Sequence, residues 1–255
     1  MVYGLEMFQK SFEKYSDQYV LIGGTACSIL MDEIGAPFRV TKDLDVVLIL
    51  EVLDSGFTKA FWKFIEEGGY EHRNRSTGDT QFYRFSNPGS TGYPLMIELF
   101  SRTPFSFDLH AANGLTPIPS DGSVLSLSAI LLNEPYYNHL IKHRRKIEGC
   151  PILDLESVIL FKIRAWLDLD ARKKTGESID SKHINKHRND IFRLLGNISS
   201  VEHAIDVDDE IFQDVQLFCE KVRYDKPDLI NLGLKKANFE QMMDILMSLF
   251  IPISP

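Results

Sequence analysis

The chain has 255 residues, 44% of them hydrophobic and 25% charged, and its formal net charge is -8 at pH 7. This composition is typical of a water-soluble globular protein with one large or two modest domains. No stretch approaches the roughly 20 apolar residues that cross a bilayer, and the first residues lack the layout of a signal peptide. We therefore expect a cytoplasmic protein without a membrane partner, and the negative charge opposes bulk binding to nucleic acid.

The first half of the chain predicts a sheet flanked by helices. Apolar residues recur at helical spacing in some segments and in short continuous runs in others. The predicted elements are a helix (5–15), a strand (19–22), a helix (25–34), a strand from about residue 43, a helix (57–67) and strands (81–85 and 95–101). The glycine pair Gly68-Gly69 ends the third helix, and a turn-rich segment at 87–92 separates the last two strands.

The second half predicts helices only. From about Leu153 the apolar residues repeat with helical period, and Asp180 is placed to cap a helix that ends at Leu195, before Gly196. We therefore predict an α+β protein with a mixed-sheet domain over 1–150 and an all-helical domain over 151–255.

Two acids open the predicted strand at residue 43. In a strand, side chains alternate between faces, so Asp43 and Asp45 point the same way with Cα atoms about 6.6 Å apart. Both carboxylates can then reach shared cations. The apolar run that follows, Val46 to Leu50, indicates a central strand buried on both faces.

A third acid lies on the strand predicted at 95–101. Glu98 shares its face with Met96 and Phe100, where alternation favours an apolar residue, so its charge requires a partner. If this strand lies beside the strand of Asp43 and Asp45, Glu98 completes a carboxylate triad for one or two magnesium ions. A salt bridge to Arg84 is the alternative explanation.

The glycine pair at the end of the first strand predicts a phosphate site. Gly23 and Gly24 have no Cβ, so a polyphosphate can approach the backbone closely, and the N-terminus of the next helix offers free amides. Thr25 adds a hydroxyl. Each motif alone is usually a turn or a solvated strand start, whereas the order of glycine pair, Asp-x-Asp and later Glu is more specific.

These residues resemble the nucleotidyltransferase superfamily with the DNA polymerase β-like fold, and within it the AbiEii-like nucleotidyltransferases, toxins of type IV toxin-antitoxin systems. The resemblance is carried by Gly23-Gly24-Thr25-Ala26, Thr41-Lys42-Asp43-Leu44-Asp45, the segment 159–165 and the segment 186–191. It implies a nucleotidyltransferase fold for the first domain.

The resemblance also implies site residues. Asp43 and Asp45 would bind metal, Gly23, Gly24 and Thr25 would contact the nucleotide, and Lys162 and Asp190 would have functional roles in the helical half. Lys162 has independent support, because it borders an apolar stripe where an unpaired ammonium is unfavourable. Asp190 is a candidate partner for it, or both reach the nucleotide.

The function implied is transfer of a nucleoside monophosphate from a nucleoside triphosphate such as ATP to a hydroxyl, with Mg²⁺ or Mn²⁺ as cofactor. RNA, in particular a tRNA end, is the acceptor that the resemblance suggests, with an antitoxin encoded nearby. One alternative is a small-molecule acceptor of the aminoglycoside type. Another is an inactive nucleotide-binding module, because Lys186-His187 stands where many relatives carry Lys-Asp.

Two remaining features are less specific. The basic run from Lys142 to Lys146, with Tyr136 and Tyr137 upstream, could hold an RNA backbone and stack a base, or could simply be exposed. Three cysteines at distant positions disfavour a disulfide framework or a thiolate metal site, so we expect them to be buried apolar residues. They are Cys27, Cys150 and Cys219.

Overall fold

A computed structural model describes residues 2–73, 83–102, 133–198 and 200–253 of the chain. The chain divides into two compact units, Met1–Asp121 with His143–Asp154 and Gly122–Lys142 with Leu155–Pro255. The predicted boundary lay at residue 150. In the structure, residues 133–142 belong to the second unit and residues 151–154 to the first. In the described part of the chain, no helix is long and apolar enough to cross a membrane.

The first unit is built on a mixed sheet. Its described elements are α1 (Leu5–Phe12), β1 (Tyr19–Ile22), α2 (Gly23–Glu33), β2 (Asp43–Leu48), α3 (Ser55–Gly68), β3 (Glu71–Arg73), β4 (Tyr83–Ser86), β5 (Met96–Phe100), β6 (Arg144–Ile147) and β7 (Cys150–Leu153). The seven strands lie in the order β3-β4-β5-β2-β1-β7-β6. β2 is antiparallel to β1 and parallel to β5, so the predicted mixed sheet is confirmed.

The central position of β1 and β2 follows from their sequence. All four residues of β1 are buried, and so are the last three residues of β2. An aromatic cluster from α1 and α3 packs beside Tyr19 of β1, with Phe8 and Phe57 among its members. Strands that are apolar on both faces require cover on both sides, which fixes β1 and β2 in the interior of the sheet.

Local capping signals set both ends of α3. The Asp54 side chain accepts a hydrogen bond from the Phe57 amide at 2.8 Å and caps the first turn. At the other end, Gly69 adopts a left-handed conformation with φ 61°, which ends the helix. The predicted helix over 57–67 is confirmed with slightly wider limits.

The second unit contains mostly helices. Its described elements are α4 (Glu134–Lys142), α5 (Leu155–Lys174), α6 (Ser181–Leu195), β8 (Ile205–Val207), α7 (Asp209–Val222), α8 (Phe239–Leu249) and β9 (Phe250–Pro252). Asp180 caps α6 as predicted, with its carboxylate accepting from the Lys182 amide. The prediction of an all-helical second domain is wrong in one respect, because β8 and β9 pair as a short parallel sheet.

Candidate active site

The candidate site begins where β1 passes into α2. Gly23 has φ +63°, a conformation that residues with a side chain rarely adopt. A Cβ added to Gly23 would overlap the carboxylate of Asp45. Glycine is therefore required here for two reasons, the backbone conformation and the close approach of β2.

Gly24 lies against a different part of the chain. A Cβ on Gly24 would be 2.7 Å from the Thr41 hydroxyl oxygen and 3.4 Å from Nη2 of Arg39. No side chain caps the N-terminus of α2 in the described part of the chain. The amides of its first turn and the positive end of the helix dipole therefore favour an anion at this position.

The two strand acids lie beside this turn. Asp45 is the register partner of Ile22, the residue before Gly23, in the antiparallel pair of β1 and β2. Asp43 is two residues away on the same strand, so both carboxylates are on one face. Both side chains are half-buried. The structure therefore places the glycine turn and the Asp-x-Asp motif next to each other.

Glu98 lies beside Asp45 and is paired with Arg84. It is the parallel register partner of Asp45, which puts β5 directly beside β2. On the other side, Glu98 faces Arg84 of β4, and Nε of Arg84 donates to Oε1 of Glu98 at 2.5 Å. The salt bridge considered as the alternative is therefore the interaction present in the structure.

The metal prediction fits two of its three residues. Carboxylate oxygens are the ligands that Mg²⁺ and Mn²⁺ prefer, so Asp43 and Asp45 have suitable chemistry. Among the described residues, however, no group of three or more acidic, histidine or cysteine side chains lies close enough to hold a metal ion. The predicted triad is therefore not assembled among the described residues, and the Glu98 carboxylate is paired with Arg84.

Thr25 has a structural role in this arrangement. Its side chain is fully buried, and its hydroxyl donates a hydrogen bond to the Asp43 carbonyl oxygen at 2.7 Å. A buried hydroxyl in this position cannot contact a nucleotide directly. It instead joins the first turn of α2 to the start of β2, and so helps to fix the position of Asp43.

Lys162 and Asp190 form an ion pair within the second unit. Nζ of Lys162 lies 2.9 Å from Oδ2 of Asp190, with the two side chains 6% and 0% exposed. Oδ1 of Asp190 also accepts from Arg193 at 3.2 Å. The pairing expected from the apolar setting of Lys162 is therefore present. A role of the pair in nucleotide binding stays a prediction.

Two residues of the site were given no role from the sequence, although Thr41 belongs to a motif that carries the resemblance. Arg39 and Thr41 border Gly24, and their proximity depends on how the segment between α2 and β2 folds back on the helix N-terminus. The only signal in the sequence is a cationic side chain four residues before Asp43, which is too common to be informative. Arg39 adds positive charge beside the proposed phosphate site.

The tyrosines upstream of the basic run do not form a stacking site, which was one of the two interpretations of this segment. Tyr136 and Tyr137 are 0% and 2% exposed, so neither can stack on a base. The Tyr136 hydroxyl donates to Asp214 at 2.9 Å, in the interior of the second unit. Within the run, Arg145 pairs with Glu33, and Nζ of Lys146 donates to the Ser16 hydroxyl at 2.7 Å. These contacts attach β6 to its own unit.

The cysteine prediction is confirmed. Cys27, Cys150 and Cys219 are all buried and none forms a disulfide. Burial raises the pKa of Cys150 to about 11, although a hydrogen bond with Gln9 acts in the opposite direction. Such thiols are poor nucleophiles and poor metal ligands at neutral pH.

Comparison with solved structures shows a similarity over most of the chain. No protein-family model matches the chain, and no curated protein matches it. Among solved structures, the chain is similar to an antigenic nucleotidyltransferase-like protein from Paracoccidioides brasiliensis, with 17% identity and a TM-score of 0.47. The similarity covers 91% of this chain and 92% of that chain. A similarity of this degree assigns no activity, so the functional argument depends on the residues of the site.

Proposed function

We propose that the protein is a divalent-metal-dependent nucleotidyltransferase. The hydroxyl oxygen of an acceptor bonds to the α-phosphorus of a nucleoside triphosphate such as ATP. The bond from that phosphorus to the oxygen bridging the α- and β-phosphates breaks, and pyrophosphate leaves with the electron pair. The acceptor proton passes to a carboxylate of the site or to water.

One observation carries this proposal. The Gly23 turn at the N-terminus of α2 lies directly against the Asp45 carboxylate of β2. Backbone amides that favour phosphate are thereby adjacent to a carboxylate that favours a divalent cation. A polyphosphate that carries a metal ion has both chemistries. A turn of this kind placed elsewhere would support phosphate binding only.

The proposed reaction assigns separate roles to the carboxylates and to the glycine turn. Asp43 and Asp45 would hold Mg²⁺ or Mn²⁺, which when bound neutralises charge on the phosphates. The amides of Gly23 and Gly24 would bind phosphate oxygens, and Arg39 would add a charged contact. Glu98 can join the metal ligands only if its ion pair with Arg84 opens.

For the acceptor, we propose RNA, with a tRNA end as the specific case and a neighbouring antitoxin as the partner. Support for both comes from the resemblance of the sequence motifs to AbiEii-like toxins. A second candidate is a cationic small molecule of the aminoglycoside type, favoured by the net charge of -8. A third is a nucleotide-binding module without transfer, favoured by the engagement of Glu98 with Arg84.

The test compares the wild-type protein with the Asp43→Asn, Asp45→Asn double variant. Each protein is incubated with Mg²⁺, one labelled nucleoside triphosphate at a time, and either total RNA or an aminoglycoside panel. The matched control is Glu202→Gln with Asp206→Asn, which removes the same charge at exposed positions of the second unit.

We expect label in RNA with the wild-type and control proteins and none with the double variant. Label in the small molecules instead would replace RNA as the acceptor. Nucleotide binding by the wild type without any transfer would favour the inactive module. Equal transfer by wild type and double variant would refute the assignment of the site.

A further inference from the structure

The second unit contains a cavity that the proposed reaction does not use. Its volume is about 690 Å³, within the range of roughly 300 to 1,000 Å³ common for ligand sites. It lies at the C-terminal ends of α5 and α7, and residues from the first turn of α6 complete its wall. All of its lining residues belong to the second unit.

Positive charge exceeds negative charge along part of this wall. Nζ of Lys174 and Nζ of Lys221 both bind the Asp170 carboxylate, at 2.9 Å and 3.2 Å. Although burial acts in the opposite direction, these hydrogen bonds hold the pKa of Asp170 below its ordinary value. Asp170 is therefore ionised at neutral pH and balances one of the two ammonium groups. Lys173 supplies a further cation, paired with the neutral Ser181 hydroxyl.

The remaining carboxylate of the wall does not reverse this balance. Asp225 is paired with Arg188, whose guanidinium also donates to the Asp225 carbonyl oxygen at 2.8 Å. Counting that pair as neutral, the three lysines face one carboxylate. The wall therefore has a local surplus of two positive charges on a protein whose net charge is -8.

An aromatic side chain completes the site. Tyr224 lines the cavity, follows the end of α7, and is 89% exposed, the largest exposed fraction among the large hydrophobic residues described. An exposed phenol ring beside cationic groups has the chemistry that stacks on an unpaired base next to its phosphate. Trp166 lies deeper in the same wall, packed edge-to-face on Phe218 at 5.2 Å.

Helix geometry explains part of this arrangement but not all of it. Lysines at the C-terminal ends of α5 and α7 also interact favourably with the helix dipoles. That effect requires neither a cavity nor an exposed aromatic ring. The dipole therefore accounts for where the lysines lie along their helices, and leaves the cavity and Tyr224 to be explained.

We propose that this cavity binds a phosphorylated nucleoside unit of single-stranded RNA. The phosphate lies against Lys173 and Lys174, and the base stacks on Tyr224. The site is an RNA contact additional to the glycine turn and carboxylates of the first unit. It does not depend on nucleotidyl transfer and extends the proposed function by a binding site for the polynucleotide.

The test is RNA binding without catalysis. Fluorescence anisotropy of a labelled 12-nucleotide single-stranded RNA is measured in EDTA and without any nucleoside triphosphate, over a range of salt concentrations. The variants are Lys173→Gln with Lys174→Gln, and Tyr224→Ala. Lys235→Gln with Lys236→Gln is the matched control, an adjacent and exposed lysine pair in the same unit.

We expect the Lys173, Lys174 double variant to bind about tenfold more weakly and to have a shallower salt dependence, because fewer counterions are released. We expect Tyr224→Ala to bind at least about fivefold more weakly with an unchanged salt slope, because stacking is largely independent of salt. The Lys235, Lys236 control should bind within about twofold of wild type.

Several outcomes would overturn the proposal. One is that the Lys235, Lys236 control loses as much RNA affinity as the Lys173, Lys174 variant. The others are that a blunt RNA duplex binds as tightly as the single strand, and that Tyr224→Ala keeps full affinity. Competition with a mononucleotide and with pyrophosphate separates the sources of the ligand. Displacement of the RNA by pyrophosphate at the concentration at which a mononucleotide displaces it would identify a plain anion site and contradict base recognition.

The result is distinct from that of the transfer experiment. In the Asp43→Asn, Asp45→Asn protein, adding Lys173→Gln with Lys174→Gln should weaken RNA binding by the same factor as in the wild type, because the cavity is intact. Loss of transfer with this effect of the lysine substitutions retained would support both proposals. If the Lys173, Lys174 double variant binds RNA like the wild type and still transfers nucleotide, the cavity site is refuted and the transferase proposal is not.

Discussion

The carboxylate of Asp45 lies where a side chain on residue 23 would have to be. Gly23 and Asp45 are far apart in sequence, and the antiparallel pairing of β1 with β2 brings them together. The contact explains why a glycine at this turn and an acid at the start of β2 occur in the same chain. Any side chain at residue 23 would displace the proposed metal ligand.

Replacing Gly23 with alanine therefore has two separable effects. The φ of +63° costs on the order of 1 to 2 kcal/mol for a residue with a Cβ, and the overlap with Asp45 adds about 1 to 3 kcal/mol. Gly35 is a matched control, because its φ is +67° and nothing lies within 4 Å of an added Cβ. Urea unfolding of the two variants, with an unchanged m-value, measures the loss of unfolding free energy in each.

We expect Gly35→Ala to lose only the conformational part of the free energy of unfolding, and Gly23→Ala to lose more. Gly23→Ala should also abolish transfer at a temperature where the protein stays folded. Equal losses of stability for the two variants would show that β2 accommodates the added methyl group, and would weaken the argument for close approach at Gly23.

The elements of this site were predictable to different degrees. Local signals located β1, β2 and the Gly23 turn, since continuous apolar runs and a glycine pair act within a few residues. Alternation predicted the face of the strand on which Glu98 lies, whereas its position beside Asp45 depends on the pairing of β5 with β2. Its engagement by Arg84 was not decidable, because it depends on the order of β4 and β5 in the sheet.

The elements that were missed depend on distant partners. The hairpin of β6 and β7 has a charged first strand, which on its own resembles an exposed basic segment. It forms because β7 pairs with β1, more than 120 residues earlier in the chain. The same holds for β8 and β9, two three-residue strands that pair across a gap of more than 40 residues.

The ion pair of Arg84 with Glu98 predicts how Glu98 will respond to substitution. The two side chains are 24% and 13% exposed and are directly opposite each other on neighbouring strands. A double-mutant cycle with Arg84→Met and Glu98→Gln should give a coupling free energy of about 0.5 to 1 kcal/mol. The coupling should decrease at high salt.

Metal binding distinguishes this role of Glu98 from that of a third ligand. Because Arg84 holds the carboxylate, we expect Glu98→Gln to change Mn²⁺ affinity less than about twofold, a difference of under 0.5 kcal/mol. Asp45→Asn is the positive control and should abolish binding. Loss of Mn²⁺ binding in Glu98→Gln would instead reinstate the carboxylate triad.

The pair of Lys162 and Asp190 predicts an asymmetric pattern of destabilisation. Asp190→Asn removes the carboxylate charge that is paired with the buried ammonium of Lys162, which costs about 3 to 5 kcal/mol. Lys162→Met leaves Asp190 with Arg193 at 3.2 Å, so its cost should be smaller. Combining the two should recover part of the loss, and denaturant unfolding of all three variants measures the pattern.

Activity of the same proteins tests whether the pair does more than stabilise. If it is purely structural, transfer per folded molecule should be unchanged in Lys162→Met at low temperature. If Lys162 contacts the nucleotide, transfer should be lost while the protein remains folded. Equal stability losses for the two single variants would contradict the supporting role given to Arg193.

The buried thiols predict a decline of stability at alkaline pH. Burial raises the pKa of Cys150, and likewise of Cys219, from 9.0 to about 11. The folded protein therefore keeps protons that the unfolded chain releases above pH 9. The stabilisation is complete below that pH and is lost as the pH rises toward 11.

The measurement is the free energy of unfolding between pH 8.5 and pH 10, where thiols dominate over tyrosines in the unfolded chain. Stability should fall across this interval in the wild type and fall less steeply in Cys150→Ala, whatever the cost of the cavity at a single pH. Thiol reagents at pH 8 should leave all three cysteines of the native protein unmodified and react with all three in denaturant. A native cysteine that reacts rapidly at pH 8 would show that its thiol is accessible in solution. The decline of stability with pH would then have to be assigned to the remaining buried thiols.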